Sequence, residues 1–145
     1  MTHILANRLL LVCALLFLLV ALVVALRVIP AVKADTSANA VPERAVPPFW
    51  VNAAFSLLLS VSCGTVAVVS KGRKRFSTVT LVLVGIVALL LGLALVDAAA
   101  AFSSHEMLAP GTSTFLFVCA AIDLSAGVLV LVVSIKRPGR RQADA

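Results

Sequence analysis

The stretch LLLVCALLFLLVALVVALRVI, residues 9–29, decides the fold. A helix rises 1.5 Å per residue, so about 20 apolar residues cross about 30 Å of hydrocarbon. This run has that length. Between Leu9 and Leu26 its only non-aliphatic side chains are Cys13 and Phe17. A helix that is apolar all round has no polar face to turn to water, so it belongs in lipid or against another apolar protein.

Three further runs share this character: residues 49–70, 78–102 and 113–135. None alternates apolar with polar residues over ten positions, which argues against the strands of a membrane barrel. In lipid every backbone amide must be paired within the protein, and a helix does this within its own segment. The expected fold is therefore all-α: one integral membrane four-helix bundle covering residues 1–145, ending in a basic cytoplasmic tail, 136–145.

Composition agrees. Of 145 residues, 62% are hydrophobic and 12% charged, against about 25% charged in soluble domains. The mean hydropathy is +1.16. Four spans with short links leave no length for a separate soluble catalytic domain. The heavy use of Ala, Val, Leu and Arg suggests a GC-rich bacterial genome.

The links are legible as well. Pro30 is expected to end the first helix, because its ring cannot continue the hydrogen-bond ladder. Residues 31–48 then read as a polar, extended, proline-rich loop with Asp35, Pro42, Glu43, Arg44, Pro47 and Pro48. Lys71, Gly72, Arg73, Lys74 and Arg75 make a short basic link, suited to anionic lipid head groups. Pro110 and Gly111 signal a turn before the fourth span. Val32, Lys33 and Ala34 also resemble a small-x-small signal-peptidase site, although the apolar run before them is longer than a usual signal sequence.

Lys and Arg distribution sets the expected orientation. Arg8, the four basic residues of the second link, and Lys136, Arg137, Arg140 and Arg141 share one side. Arg27, Lys33 and Arg44 share the other. Nine against three places both termini in the cytoplasm, in a plasma membrane. The net charge of +6 is explained by this bias. No basic face interleaved with aromatics points to nucleic acid.

Two carboxylates fall within spans, where charges are costly and usually purposeful. Asp97 lies about 7–8 Å below the outer boundary and Asp123 about 15 Å below it, near the midplane. Asp97 has Arg27 and Asn52 at matching depth as expected partners. Asp123 has Ser56 and Ser60, with no Lys or Arg at its level. The two carboxylates could share a hydrated pocket opening outward.

Small-residue rows predict where the helices pack. Asn52, Ser56, Ser60 and Gly64 recur every four residues. Ala120, Asp123 and Gly127 share a face, as do Gly85, Ala88 and Gly92, with Ala94, Ala98 and Ala101 extending the last row outward. These predict a bundle seamed by the second, third and fourth spans, with the first span greasy on most sides.

Nothing points to catalysis, a cofactor or a metal. Cys13, Cys63 and Cys119 lie in apolar runs with no CxxC, and read as soft packing residues. His105 and Glu106 are adjacent, with no other ligands at motif spacing. Walker, nucleophile-elbow and HExxH motifs are absent, as are paired intramembrane histidines. Two functions are expected from these features. The first is a non-enzymatic accessory or structural subunit of a larger membrane assembly, its partners being lipid, other membrane subunits or copies of itself. The second is a small oligomeric proton- or cation-coupled transporter or channel using Asp123 and Asp97.

Overall fold

A computed structural model describes residues 2–37, 46–69, 74–104 and 111–136. All are helical apart from Thr2 and Gly111 at helix starts. Helix α1 (His3–Val23) runs through a π-helical segment, Val24–Val28, into α2 (Ile29–Ser37), so the three form one rod. Helices α3 (Val46–Val69), α4 (Lys74–Ser104) and α5 (Thr112–Lys136) follow. Spans of bilayer length and apolar composition run over Ile4–Ala34, Val46–Val69, Thr78–Phe102 and Thr112–Lys136. They point to a multi-pass membrane protein in contact with lipid.

Helix starts have local causes. Thr2 caps α1, its Oγ accepting from the Leu5 amide at 3.3 Å. This draws the helix start six residues ahead of the apolar run, since a capped amide needs no water. Pro47 and Pro48 sit in the first turn of α3, where amides have no intrahelical acceptor and a missing N–H costs nothing. Gly111 adopts φ 99°, a backbone region that suits glycine. Its carbonyl accepts the Phe115 amide at 3.0 Å, opening α5.

Pro30 does not end the first span. It lies inside α2, directly after the π-helical segment, where the Ile29 amide bonds the Val24 carbonyl five residues back. The widened turn moves the backbone away from the proline ring, the usual way a helix passes such a residue. The expected extended loop, 31–48, is correspondingly shorter. Residues 31–37 and 46–48 are helical, and residues 38–45 lie outside the described residues.

The rods pack antiparallel, in a ring of chain order. The first rod lies between α3 and α5, and α4 lies between α3 and α5 on the opposite side. The first rod pairs most extensively with α3, and α4 with α5, whereas α3 and α4 meet more sparsely. Diagonal pairs make at most marginal contact. The α1 start, the α3 end, the α4 start and the α5 end form one end of the bundle, here the basic end.

The first span is more deeply integrated than its composition predicts. Leu10, Cys13, Phe17, Val20, Val24 and Val28 are fully buried. An aliphatic helix offers no polar face to mark its outside, so its buried side was not readable from periodicity. Leu11, Leu15, Leu19, Leu22 and Leu26 form its exposed face. In no span is more than 44% of the most apolar window buried by the chain itself. The rest is surface that only lipid or another apolar partner can cover.

The α4–α5 seam is set by small residues in steps of three and four. On α4 the buried row is Leu81, Gly85, Ala88, Gly92, Leu95 and Ala99. It continues through Leu95 and Ala99; of the residues expected to extend it, Ala94 and Ala101 are exposed and Ala98 is partly buried, because Ala94 stands two positions past Gly92, about 200° around the helix. A Cβ on Gly92 would come within 2.7 Å of Leu124 Cγ, and one on Gly127 within 3.1 Å of the Ala88 Cβ and 3.2 Å of the Gly85 carbonyl. Gly64 has nothing within 4 Å of that position.

Gly92→Ala and Gly127→Ala should each destabilise the bundle by about 1–3 kcal/mol through overpacking. Gly64→Ala should be neutral, or stabilising by up to about 1 kcal/mol from helix propensity. Thermal unfolding in detergent, followed by helical circular dichroism, separates the three.

Candidate functional site

Buried positions on α5 are Thr112, Leu116, Cys119, Ala120, Asp123, Ala126, Gly127, Val130, Val133 and Ser134. Asp123 occupies the middle of this inward stripe and is fully buried. Neither of its carboxylate oxygens has a hydrogen-bond partner.

Two contacts set its level in the bundle. The Cys13 thiol lies 3.9 Å from the Ala126 carbonyl oxygen, a weak sulfur bond. Ser60 Oγ donates to the Ala14 carbonyl at 2.7 Å. One turn farther from the basic end, antiparallel geometry brings Phe17, Ser56 and Asp123 to a common height. Gly92 reaches the same height, since it sits against Leu124 and Ala120.

The apolar core divides at this layer. One cluster, toward the basic end, includes Leu10, Cys13, Phe17, Leu59, Cys63, Ala88, Ala126 and Val130. The other includes Val20, Val24, Phe49, Ala53, Leu95, Leu116, Cys119 and Ala120. Ser56 and Asp123 belong to neither, lying between them along their helices. Ser56 is fully buried, and Asn52, one turn toward the far end, is 5% exposed. Ser56 Oγ and Asn52 Oδ1 are also without hydrogen-bond partners. Of the five such buried side-chain atoms among the described residues, only Asn7 Oδ1 lies elsewhere, near the basic end.

A cleft of about 230 Å³ leads toward this layer along the sparse α3–α4 seam. Pro48, Phe49, Asn52, Ala94, Leu95, Ala98 and Phe102 line it, and Asn52 is the one polar residue of that lining. Phe49 and Phe102 stack across the seam, with ring centroids 6.0 Å apart. Phe49 is thus turned inward, while its neighbour Trp50 stays half exposed beneath the Lys33 ammonium, 5.7 Å from the ring. This is a cation–π distance.

The structure separates the two span carboxylates. Asp97 is exposed, because it stands two positions past Leu95, about 200° around α4 from the buried row. It faces outward, whereas Asp123 faces the core. Arg27 is also exposed, on the rod diagonally opposite α4, and no ion pair joins it to Asp97. Asn52 turns into the core rather than toward Asp97. The phase of Gly85, Ala88 and Gly92 was the available signal that Asp97 faces outward.

The row Asn52, Ser56, Ser60 and Gly64 is buried only at its first two members, and Ser60 and Gly64 are half-buried. Steps of four advance the row by about 40° each, so it spirals off the core face. Lys71 and Arg73 lie outside the described residues, as do His105 and Glu106. Lys74 and Arg75 begin α4.

Ser60→Ala should cost about 0.5–1 kcal/mol, the usual worth of an interhelical hydrogen bond in a membrane. Ser62 and Thr65 donate to their own helix, at the Leu58 and Val61 carbonyls, each at 2.8 Å. Ser62→Ala and Thr65→Ala should change stability by less than about 0.5 kcal/mol, the usual range for surface substitutions. Denaturant titration in mixed micelles gives all three values.

No protein-family model, no curated protein and no solved structure matches the chain.

Proposed function

We propose that this chain is a non-enzymatic accessory or structural subunit of a larger membrane assembly. The observation that carries this reading is Asp97. It is exposed on α4, five residues inside the span Thr78–Phe102, about 7–8 Å from its end. A carboxylate at the centre of a spanning helix costs about 2.5–3.5 kcal/mol on insertion scales, less toward the interface. Arg27 has a long stem with which to reach the head groups. Aspartate has one methylene and does not have that reach. No described cation of the same chain accompanies Asp97, so a group on a neighbouring subunit is its natural complement.

Other features fit this role. The bundle presents broad aliphatic walls, and its links are too short to carry soluble chemistry. The nine-to-three bias of Lys and Arg supports cytoplasmic termini in a plasma membrane. Lys71, Arg73, Lys74 and Arg75 then face anionic head groups.

A second reading, proton- or cation-coupled transport, is favoured by one observation, the unpaired buried carboxylate of Asp123. Asp97 stands apart from that site, so a relay through both carboxylates has no support in the geometry.

Affinity-tagged chain extracted from its native membrane in mild detergent should bring down a partner subunit, or further copies of itself, by mass spectrometry. Asp97→Ala should lose that partner while the bundle's melting temperature stays within about 2 °C, since exposed substitutions usually change stability by less than about 0.5 kcal/mol. A tagged chain recovered alone and monomeric would refute the assembly reading. Cation-dependent flux in liposomes, abolished by Asp123→Asn, would favour transport instead.

A further inference from the structure

We infer that the partner answering Asp97 is a second copy of this chain, whose first rod docks on the outward face of α4 so that its Arg27 pairs with Asp97. This rests on the assembly reading above and names the partner.

The two faces have complementary patterns. On α4, Leu83, Ile86, Leu90, Leu93 and Asp97 are all exposed. They recur in steps of three and four, the spacing of a coiled-coil seam. The aspartate is thus the last member of an aliphatic stripe. On the first rod, Leu11, Leu15, Leu22 and Leu26 are exposed, and exposed Arg27 directly follows them.

Height and direction also match. Both α1 and α4 run away from the basic end, and Phe17 stands level with Gly92. Equal counts from those two residues set Leu11 level with Ile86, Leu15 with Leu90 and Leu22 with Asp97. Copies inserted the same way in one membrane share these heights. The α4 stripe of one copy then meets the α1 stripe of the next in parallel, layer against layer. Arg27 stands about 7–8 Å farther from the basic end than Asp97. Helical side chains lean toward their own N-terminus, so its stem leans back toward the carboxylate.

Charge selects the occupant. Neither Asp97 nor Arg27 has an ion-pair partner among the described residues. They cannot reach one another within a chain, because their rods are diagonally opposite. Lys33, the neighbouring cation, lies over the Trp50 ring. Arg8 and Lys136 stand at the basic end. A foreign subunit that answered Asp97 would leave Arg27 unmatched, whereas a second copy answers both. Arginine offers a carboxylate two parallel N–H donors, which fixes geometry as well as charge. The leucine stripes supply dispersion contact, and the ion pair sets partner and register.

The placement of the faces determines the symmetry. A two-fold pair needs both faces on one side of the bundle. Here they lie on opposite sides, so the contact is head-to-tail. Two copies leave one face of each kind open, and addition continues until a ring closes. The expected species is larger than a dimer.

The test is the mass of the full chain in mild detergent and in lipid nanodiscs, by light scattering. The wild-type chain should form an oligomer larger than a dimer. Asp97→Arg alone and Arg27→Asp alone should each be monomeric, since like charges then meet at every interface. Mixing the two variants should restore association, because each supplies the charge that the other lacks. The milder Asp97→Asn and Arg27→Gln should each weaken association by about tenfold or more, with helical circular dichroism unchanged. In oxidised membranes, Leu15→Cys combined with Leu90→Cys should give a disulfide ladder beyond the dimer, whereas either substitution alone should not.

An undiminished oligomer in Asp97→Asn and Arg27→Gln would overturn the inference, as would the absence of a ladder in the double cysteine chain. If the charge-reversal variants do not insert, these milder variants and the ladder decide. A chain recovered with a different subunit, but with no second copy, sinks this inference and leaves the assembly reading standing. A chain recovered alone and monomeric sinks both.

Discussion

Hydrocarbon offers a backbone amide nothing to bond with, and most of this molecule follows from that. Each span must satisfy its own N–H and C=O groups, so each is a helix of bilayer length. Polar groups without an intrahelical partner are placed with care. Thr2 caps the first amides of α1. Pro47 and Pro48 occupy a first turn, where no bond is lost. Pro30 is absorbed by a π-helical turn that lets the rod continue to Ser37. The same rule holds for side chains, as Ser62 and Thr65 fold their hydroxyls back onto carbonyls of their own helix.

Burial of apolar area cannot hold helices together when the solvent is as apolar as the side chains. Close approach has to serve instead. Gly85, Gly92 and Gly127, with Ala88 between them, let the α4 and α5 backbones come within reach of one another's side chains. The gain is dispersion contact over a long seam. Between the first rod and α3, Ser60 adds a hydrogen bond across the interface. The α3–α4 seam lacks such a row, meets more sparsely, and is where the outer cleft opens.

Against this background the two span aspartates are instructive. They are the same residue type at depths only about 7–8 Å apart, yet the packing gives them opposite surroundings. Asp123 falls on the inward stripe of α5, in a layer that interrupts the apolar core. Asp97 falls about 200° away from the inward row of α4 and faces outward. One is closed off within the bundle, and the other is open to whatever surrounds it. Any role for this chain has to treat them as two separate features.

Residue order alone determined the number of spans, their helical nature, the basic link and tail, and how far along its helix each carboxylate lies, because length, hydropathy and a rise of 1.5 Å per residue are local quantities. It also marked Gly85, Ala88, Gly92 and Gly127 as packing positions, since few other residues permit close approach. Rotation was harder to read. In the first span every face is aliphatic, so nothing in the order of residues tells which side is buried. In α3 the four-residue row drifts off the core after Ser56, and only neighbouring helices show where it leaves. Which helices adjoin, which pair stays loose, and whether two aspartates meet or part depend on how four rods rotate and cross, a choice made by the fit of side chains from distant segments.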